Sequence, residues 1–232
     1  MATLVKQYQT VFQDMMFQEN FKKSGRGFYR LCDDVLQILY MRSYQGETDF
    51  CYTTYPLSLG ARELYLEGIG VSYFRKGGHW WWWPNQELMD TNFAEPYALV
   101  KEHAMPFFQK GIDSKSAYQA RIDRYYEIYS HEPPLNDWVS TLFCLQLGDY
   151  ARAEIHMAAI IDQNILSLAT FSNDIDLSSE RCTRIVDNIM LLKRIHERDT
   201  EYWNNELDRD RKKTLDFLAS LEPKRRKKTD EV

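Results

Sequence analysis

No stretch of the sequence strings together the roughly 18 apolar residues that a membrane span requires. The first ten residues hold no uninterrupted apolar run of the secretory type either, so a soluble, cytoplasmic chain is expected. Cysteine is sparse and scattered. Cys32, Cys51, Cys144 and Cys182 never approach CxxC spacing, which argues against a zinc knuckle and a disulfide framework and leaves structural thiols as the expectation. Histidine is equally dispersed: no two of His79, His103, His131, His156 and His196 share the i, i+4 spacing that sets two ligands on one helical face. A glycine-rich phosphate loop, a GxSxG elbow and HExxH are all missing. No catalytic residue, no metal and no cofactor is therefore assigned. Positive charge is also short: 29 Lys and Arg against 34 Asp and Glu give a formal charge of -5, which disfavours a general nucleic-acid binder.

What the sequence has in excess is tryptophan at one place. Trp80, Trp81, Trp82 and Trp83 run consecutively, preceded by Lys76-Gly77-Gly78-His79 and closed by Pro84. In one extended strand Trp80 and Trp82 point to one side, Trp81 and Trp83 to the other. One pair is expected in the core; the other is either covered by helices or shown to a partner. With Arg75, Lys76 and His79 beside it, the run has the aromatic and cationic composition enriched at protein interfaces, so Arg75, Lys76, His79, Trp80, Trp81, Trp82 and Trp83 form the candidate partner-binding patch.

Apolar spacing predicts an α+β fold: an N-terminal helix on an antiparallel sheet, followed by an all-helical C-terminal half. Leu4, Val5, Tyr8, Val11, Phe12, Met15 and Met16 recur at helical spacing, and the helix is expected to end near Ser24-Gly25 on a glycine cap. Gly27 to Cys32, Val35 to Met41 and Phe50 to Tyr55 read as consecutive antiparallel strands. Val35 to Met41 is apolar enough to be central and covered on both faces. Ile69 to Arg75 and His79 to Trp83 suggest a further strand pair about a turn at Lys76-Gly77-Gly78. After Pro84 the grammar is helical, with helices over Phe93 to Phe108 and Ser114 to Tyr129, and Pro133-Pro134 as a break. Leu147-Gly148-Asp149-Tyr150 reads as the turn of a helical hairpin, in which small Gly148 and Ala153 allow close approach. A last helix pair spans Ser178 to Leu221, with Asp176 and Ser178 as caps. Asn173 to Asp176 reads as an interhelical turn, and His196-Glu197-Arg198-Asp199 as a charge pattern on an exposed helical face. Residues 1–110 are assigned to the sheet domain, 111–221 to a helical region packed on it, and 222–232, with basic Lys224 to Lys228, to a disordered tail.

The stretch Phe21 to Arg30, containing Gly25-x-x-Phe28-x-Arg30, together with Val35 to Met41 with its Gln37 and with Pro106-Phe107-Phe108, resembles a bacterial domain-of-unknown-function family of the DUF4304-like type over residues 10–130. The Trp run and the helices after Pro133 depart from that pattern. The family carries no established catalytic residues. Its members occur in settings suggestive of toxin immunity, so the resemblance implies a protein-binding role. Three functions are carried forward: a non-enzymatic protein-binding module, an enzyme with a pocket between sheet and helices, and a nucleic-acid-associated protein using the basic tail. A protein partner is expected ahead of nucleic acid, and no membrane.

Overall fold

The computed structural model describes residues 2–61, 68–74, 82, 85–129, 138–171 and 179–221. Helix α1 (Ala2–Gln18) buries Leu4, Tyr8, Phe12 and Met16 along one face, as their four-residue spacing requires. It stops at Gln18, seven residues before the expected glycine. Asn20 takes the left-handed conformation instead, at φ 62°, and the Phe21 amide bonds back to the Met16 carbonyl at 2.9 Å. Residues 22–24 then form an edge strand that the sequence does not announce, and Gly25, at φ 51°, serves the turn that follows.

The sheet is a five-stranded antiparallel meander in sequence order: β1 (Lys22–Ser24), β2 (Gly27–Cys32), β3 (Val35–Tyr44), β4 (Glu47–Pro56) and β5 (Ile69–Gly70). Gln45 and Gly46 both have positive φ, as a two-residue hairpin turn between β3 and β4 demands. The expected strand from Ile69 to Arg75 shrinks to two residues, because the Ser72 amide bonds the Asp49 carboxylate at 3.3 Å and Val71–Phe74 coils into a 3₁₀ turn. Trp82 joins the sheet through one antiparallel bridge to Thr48 on β4.

As expected, β3 is central, and its residues from Val35 to Met41 are buried throughout. Register alternation divides the side chains between two cores. Phe28, Leu39, Met41, Phe50 and Tyr52 face α1 and the helices α2 (Asn85–Asp90), α3 (Ala94–Leu99) and α4 (Met105–Lys110). A π-helical turn, Val100–Ala104, links the last two. On the other face Ile38, Tyr40, Cys51 and Tyr55 meet α5 (Ser114–Tyr129), α6 (Trp138–Gln146), α7 (Tyr150–Phe171) and α9 (Thr200–Leu221). Helix α8 (Glu180–His196) packs on α7.

The caps explain most helix boundaries. Asp113 Oδ1 accepts the Ser116 amide at 2.9 Å, and Asp34 accepts both the amide and the hydroxyl of Ser114, starting α5 where the sequence indicates. Gly148, at φ 70°, has open space around it, so it serves the left-handed turn of the α6–α7 hairpin and not the close helix approach expected of it; buried Ala153 takes that role. Ser179 caps α8, its hydroxyl accepting the Cys182 amide at 3.3 Å. His196 ends α8, and Glu197 to Asp199 make the turn into α9, with Arg198 at φ 53° and Asp199 accepting the Tyr202 amide at 3.1 Å. That corrects the reading of these four residues as one helical face. All four cysteines are free; Cys51, Cys144 and Cys182 are buried and Cys32 half-buried. Asn173 to Asp176, Ser178, Pro133-Pro134 and the basic tail lie outside the described residues.

The residues that carry the family resemblance meet in space. Gln37 lies on the α4 side of β3, donates to the carbonyls of Phe108 (2.8 Å) and Gly111 (2.7 Å), and accepts from Arg30 Nε at 2.8 Å. Arg30 also bonds the Glu19 carbonyl at 2.7 Å and lies 4.6 Å over the Phe21 ring, while the Gly25 carbonyl accepts from Gln9 at 2.7 Å. Gly27 sits so close to β3 that a Cβ there would come within 2.3 Å of the Leu39 carbonyl oxygen. The motif is therefore a joint holding α1, the sheet and α4 together.

Candidate partner-binding surfaces

Of the seven residues singled out by sequence, Trp82 is described; Arg75, Lys76, His79, Trp80, Trp81 and Trp83 lie outside the described residues. Trp82 is 3% exposed. Its backbone exchanges two hydrogen bonds with Thr48, at 3.0 and 2.9 Å, and its indole meets Phe50 edge to face at 5.7 Å. The one indole donor is satisfied by the Glu95 carboxylate at 2.9 Å. Trp82 thus anchors the aromatic segment to the core.

Phe74, the last described residue before Arg75 in sequence, carries a small cationic and aromatic stack of its own. The His103 imidazole lies parallel to the Phe74 ring at 4.0 Å, and the Arg124 guanidinium sits 5.6 Å over the same ring. Arg124 also donates to the His103 carbonyl at 3.3 Å and pairs with Glu127. Partial burial, opposed by Glu102, lowers the His103 pKa, which keeps the imidazole neutral at physiological pH. Sequence reading missed this stack because its members come from the 3₁₀ turn, the π turn and α5. No spacing along the chain announces it.

Asp49, on β4 next to the Thr48 that bridges Trp82, is sealed in the sheet. Its carboxylate accepts the amides of Phe50 (2.8 Å) and Ser72 (3.3 Å) and faces Arg42 at 3.3 Å. Burial pushes its pKa up to about 6 despite the neighbouring guanidinium. Gly70 is required beside it, since a Cβ would stand 2.1 Å from Oδ2. Asp49 ties β4 to the 3₁₀ turn.

A cleft of about 350 Å³ opens between β2 and α9, where the sequence reading would put an enzyme's pocket. Its described lining includes Lys22, Tyr29, Arg30 and Leu218, with neither a carboxylate nor an imidazole to form a proton-transfer pair.

Among the described residues, half of the exposed large apolar side chains lie on the outer helical hairpin. Ile155, Ile165 and Leu166 of α7 and Val186, Ile189 and Met190 of α8 are between 45% and 67% exposed. Ile155 and Leu166 lie about half a turn round α7 from buried Met157 and Ile161, and the α8 trio follows three- and four-residue spacing. Ile155 and Leu166 thus turn away from the core on α7, and Val186, Ile189 and Met190 stand open on α8, while Ile165 lies only about 40° round the helix from buried Ile161.

Comparison with family models, with curated proteins and with solved structures finds no match. Among the described residues, no helix is long and apolar enough to cross a membrane.

Proposed function

We propose that the protein is a non-catalytic protein-binding module whose principal contact surface is the outer face of α7 and α8. One observation carries the reading: six large apolar side chains on two neighbouring helices stand half open to solvent, where singly scattered ones would need no explanation. The resemblance to the DUF4304-like family, with its immunity-type settings, supports the same class of role. The sheet face toward α6 and α7 is filled by Ile38, Tyr40, Phe143, Met157 and Ile161, and the described lining of the cleft between β2 and α9 offers no proton-transfer pair, which favours a scaffold over a reaction chamber.

The Trp segment is a second contact under the same reading. Its support is compositional: Arg75, Lys76 and His79 flank the Trp run in sequence, and the described neighbours Phe74 and Trp82 are both fixed to the fold. The test is capture by immobilised full-length protein from its native host, with bound chains identified by mass spectrometry. Wild type is expected to retain a defined protein that a Leu166→Glu, Ile189→Glu variant loses while its circular dichroism is unchanged. A Trp81→Ala, Trp83→Ala variant measures the second contact. Equal retention by wild type and the Glu variant sinks the α7–α8 assignment.

A further inference from the structure

We propose that a cavity between α1 and the α3–α4 helices is a binding site for a small apolar zwitterion, a free α-amino acid with an aliphatic or aromatic side chain. This site goes beyond the contact surface on α7 and α8 and is independent of it.

Two rows of side chains make the walls. Asp14 and Gln18 stand four residues apart on α1, and Tyr97, Lys101, Met105 and Gln109 follow one another at the same spacing on the facing helices. The cavity between them holds about 350 Å³, at the small end of ligand pockets, with room for about a dozen water-sized groups. Its floor is apolar and fixed: Met105 is buried, Met15 packs on the α1-side core, and the Tyr97 ring lies 5.4 Å from buried Phe12. One wall contains the π turn, in which the Met105 amide reaches back to the Val100 carbonyl and Lys101 is the second residue. Such single-turn insertions are rare in helices and recur at functional sites.

Charge names the ligand. Glu19 also lines the cavity, but its carboxylate faces Arg30 at 3.5 Å, and Glu102, beside Lys101 in sequence, turns to His103 at 3.9 Å. That leaves Asp14 and Lys101, one anion and one cation on opposite walls. Among the described residues, neither forms an ion pair or a hydrogen bond, with the other or with any third group. The Tyr97 hydroxyl and the amides of Gln18 and Gln109 are open in the same way. Elsewhere in the helical layers opposite charges close on each other, as Arg184 does on Glu180 at 3.0 Å and Arg194 on Asp199 at 2.8 Å. A ligand with one ammonium and one carboxylate satisfies both walls at once. Its ammonium meets Asp14, its carboxylate meets Lys101, and its side chain takes the thioether floor of Met15 and Met105. A simple anion or a simple cation leaves one wall unpaired.

Isothermal titration calorimetry of the full chain with L-leucine, L-methionine and L-phenylalanine tests this, beside the N-acetyl form of each, which lacks the ammonium, and the carboxamide, which lacks the carboxylate. At least one free amino acid is expected to bind once per chain, and each of its blocked forms about tenfold or more weakly, for loss of one charge-assisted contact. Two variants carry the sharper signature. Asp14→Asn erases the preference over the N-acetyl form and keeps that over the carboxamide; Lys101→Met does the reverse. Lys110→Met, outside the lining, changes neither. Asp14 and Lys101 are exposed, so both variants are expected to keep the wild-type circular dichroism. Absence of binding by all three amino acids up to about 10 mM overturns the inference. So does a blocked form that binds as well as the free amino acid, or binding that both variants leave intact. If Asp14→Asn and Lys101→Met lose a captured protein while no amino acid binds, the cavity belongs to a protein contact and the amino-acid assignment falls. The α7–α8 surface is judged by its own variants in every case.

Discussion

The two faces of the sheet are closed in different ways. The face under α1 is sealed in a single layer by rings: Tyr8, Phe12, Phe50, Phe93 and Trp82 contact one another at centroid distances from 4.9 to 6.4 Å. The opposite face is covered by a mixture of aromatic and aliphatic side chains, among them Tyr118, Phe143, Met157, Ile161 and Trp203, from α5, α6, α7 and α9, and α7 with its neighbour α8 then turns further apolar side chains outward. A ring cluster fills its space with few residues and leaves nothing over; a helical layer built from two-sided helices transfers its exposed surface one layer out. The proposed contact surface belongs to the second kind of closure.

The contrast is tested most severely by truncation on both faces. Phe50→Ala removes the ring that touches four others and is expected to cost about 4 kcal/mol in chemical denaturation, against about 3 kcal/mol for Ile38→Ala across the sheet. Equal costs would remove the distinction. Asp49 comes next. Its carboxyl pKa is about 6 in the folded chain against 3.8 for an unperturbed aspartate, so between those limits the folded chain holds a proton that the unfolded chain releases. Stability therefore falls as pH rises from about 4 to about 6, by up to about 3 kcal/mol, and Asp49→Asn flattens that slope when unfolding is followed across the range. Gln37→Met leaves the Phe108 and Gly111 carbonyls without their donor and should cost about 2 kcal/mol, with the loss read as weakened docking of α4 in hydrogen exchange. Leu166→Glu, at the outer stripe, should move monomer stability by no more than about 0.5 kcal/mol. A larger loss would mean that this stripe belongs to the fold.

Local chemistry made the elements between Gly27 and Tyr55, helix α5 and the α6–α7 turn readable along the chain. Alternation of apolar residues, the Asp113 cap and the Leu-Gly-Asp turn all act within a few residues. The end of α1 was not readable, because Asn20 takes the left-handed position for which the nearby glycines are the better candidates by type. The strand after Ile69 failed for a tertiary reason: a carboxylate on β4 captures the Ser72 amide. At the candidate surfaces, alternation correctly allowed a buried Trp82, but the Phe74–His103–Arg124 stack required three elements to converge. The outer stripes were present in the spacing of Val186, Ile189 and Met190, yet helical spacing alone does not say which of two apolar stripes faces inward.

The double coverage of β3 and β4 has a consequence for the order in which the protein is made. Residues 22–56 complete four strands, of which β3 from Val35 to Met41 is buried on both faces, but the helices that cover the second face reach Met157 only after a further hundred codons or so. At bacterial-to-eukaryotic elongation rates that leaves a naked sheet on the ribosome for about 5–20 s. During that interval Gln37 has no carbonyl to bond until residues 108–111 emerge. Until the later helices arrive the second sheet face is open to association, so slowing translation after codon 56 should lower the soluble yield.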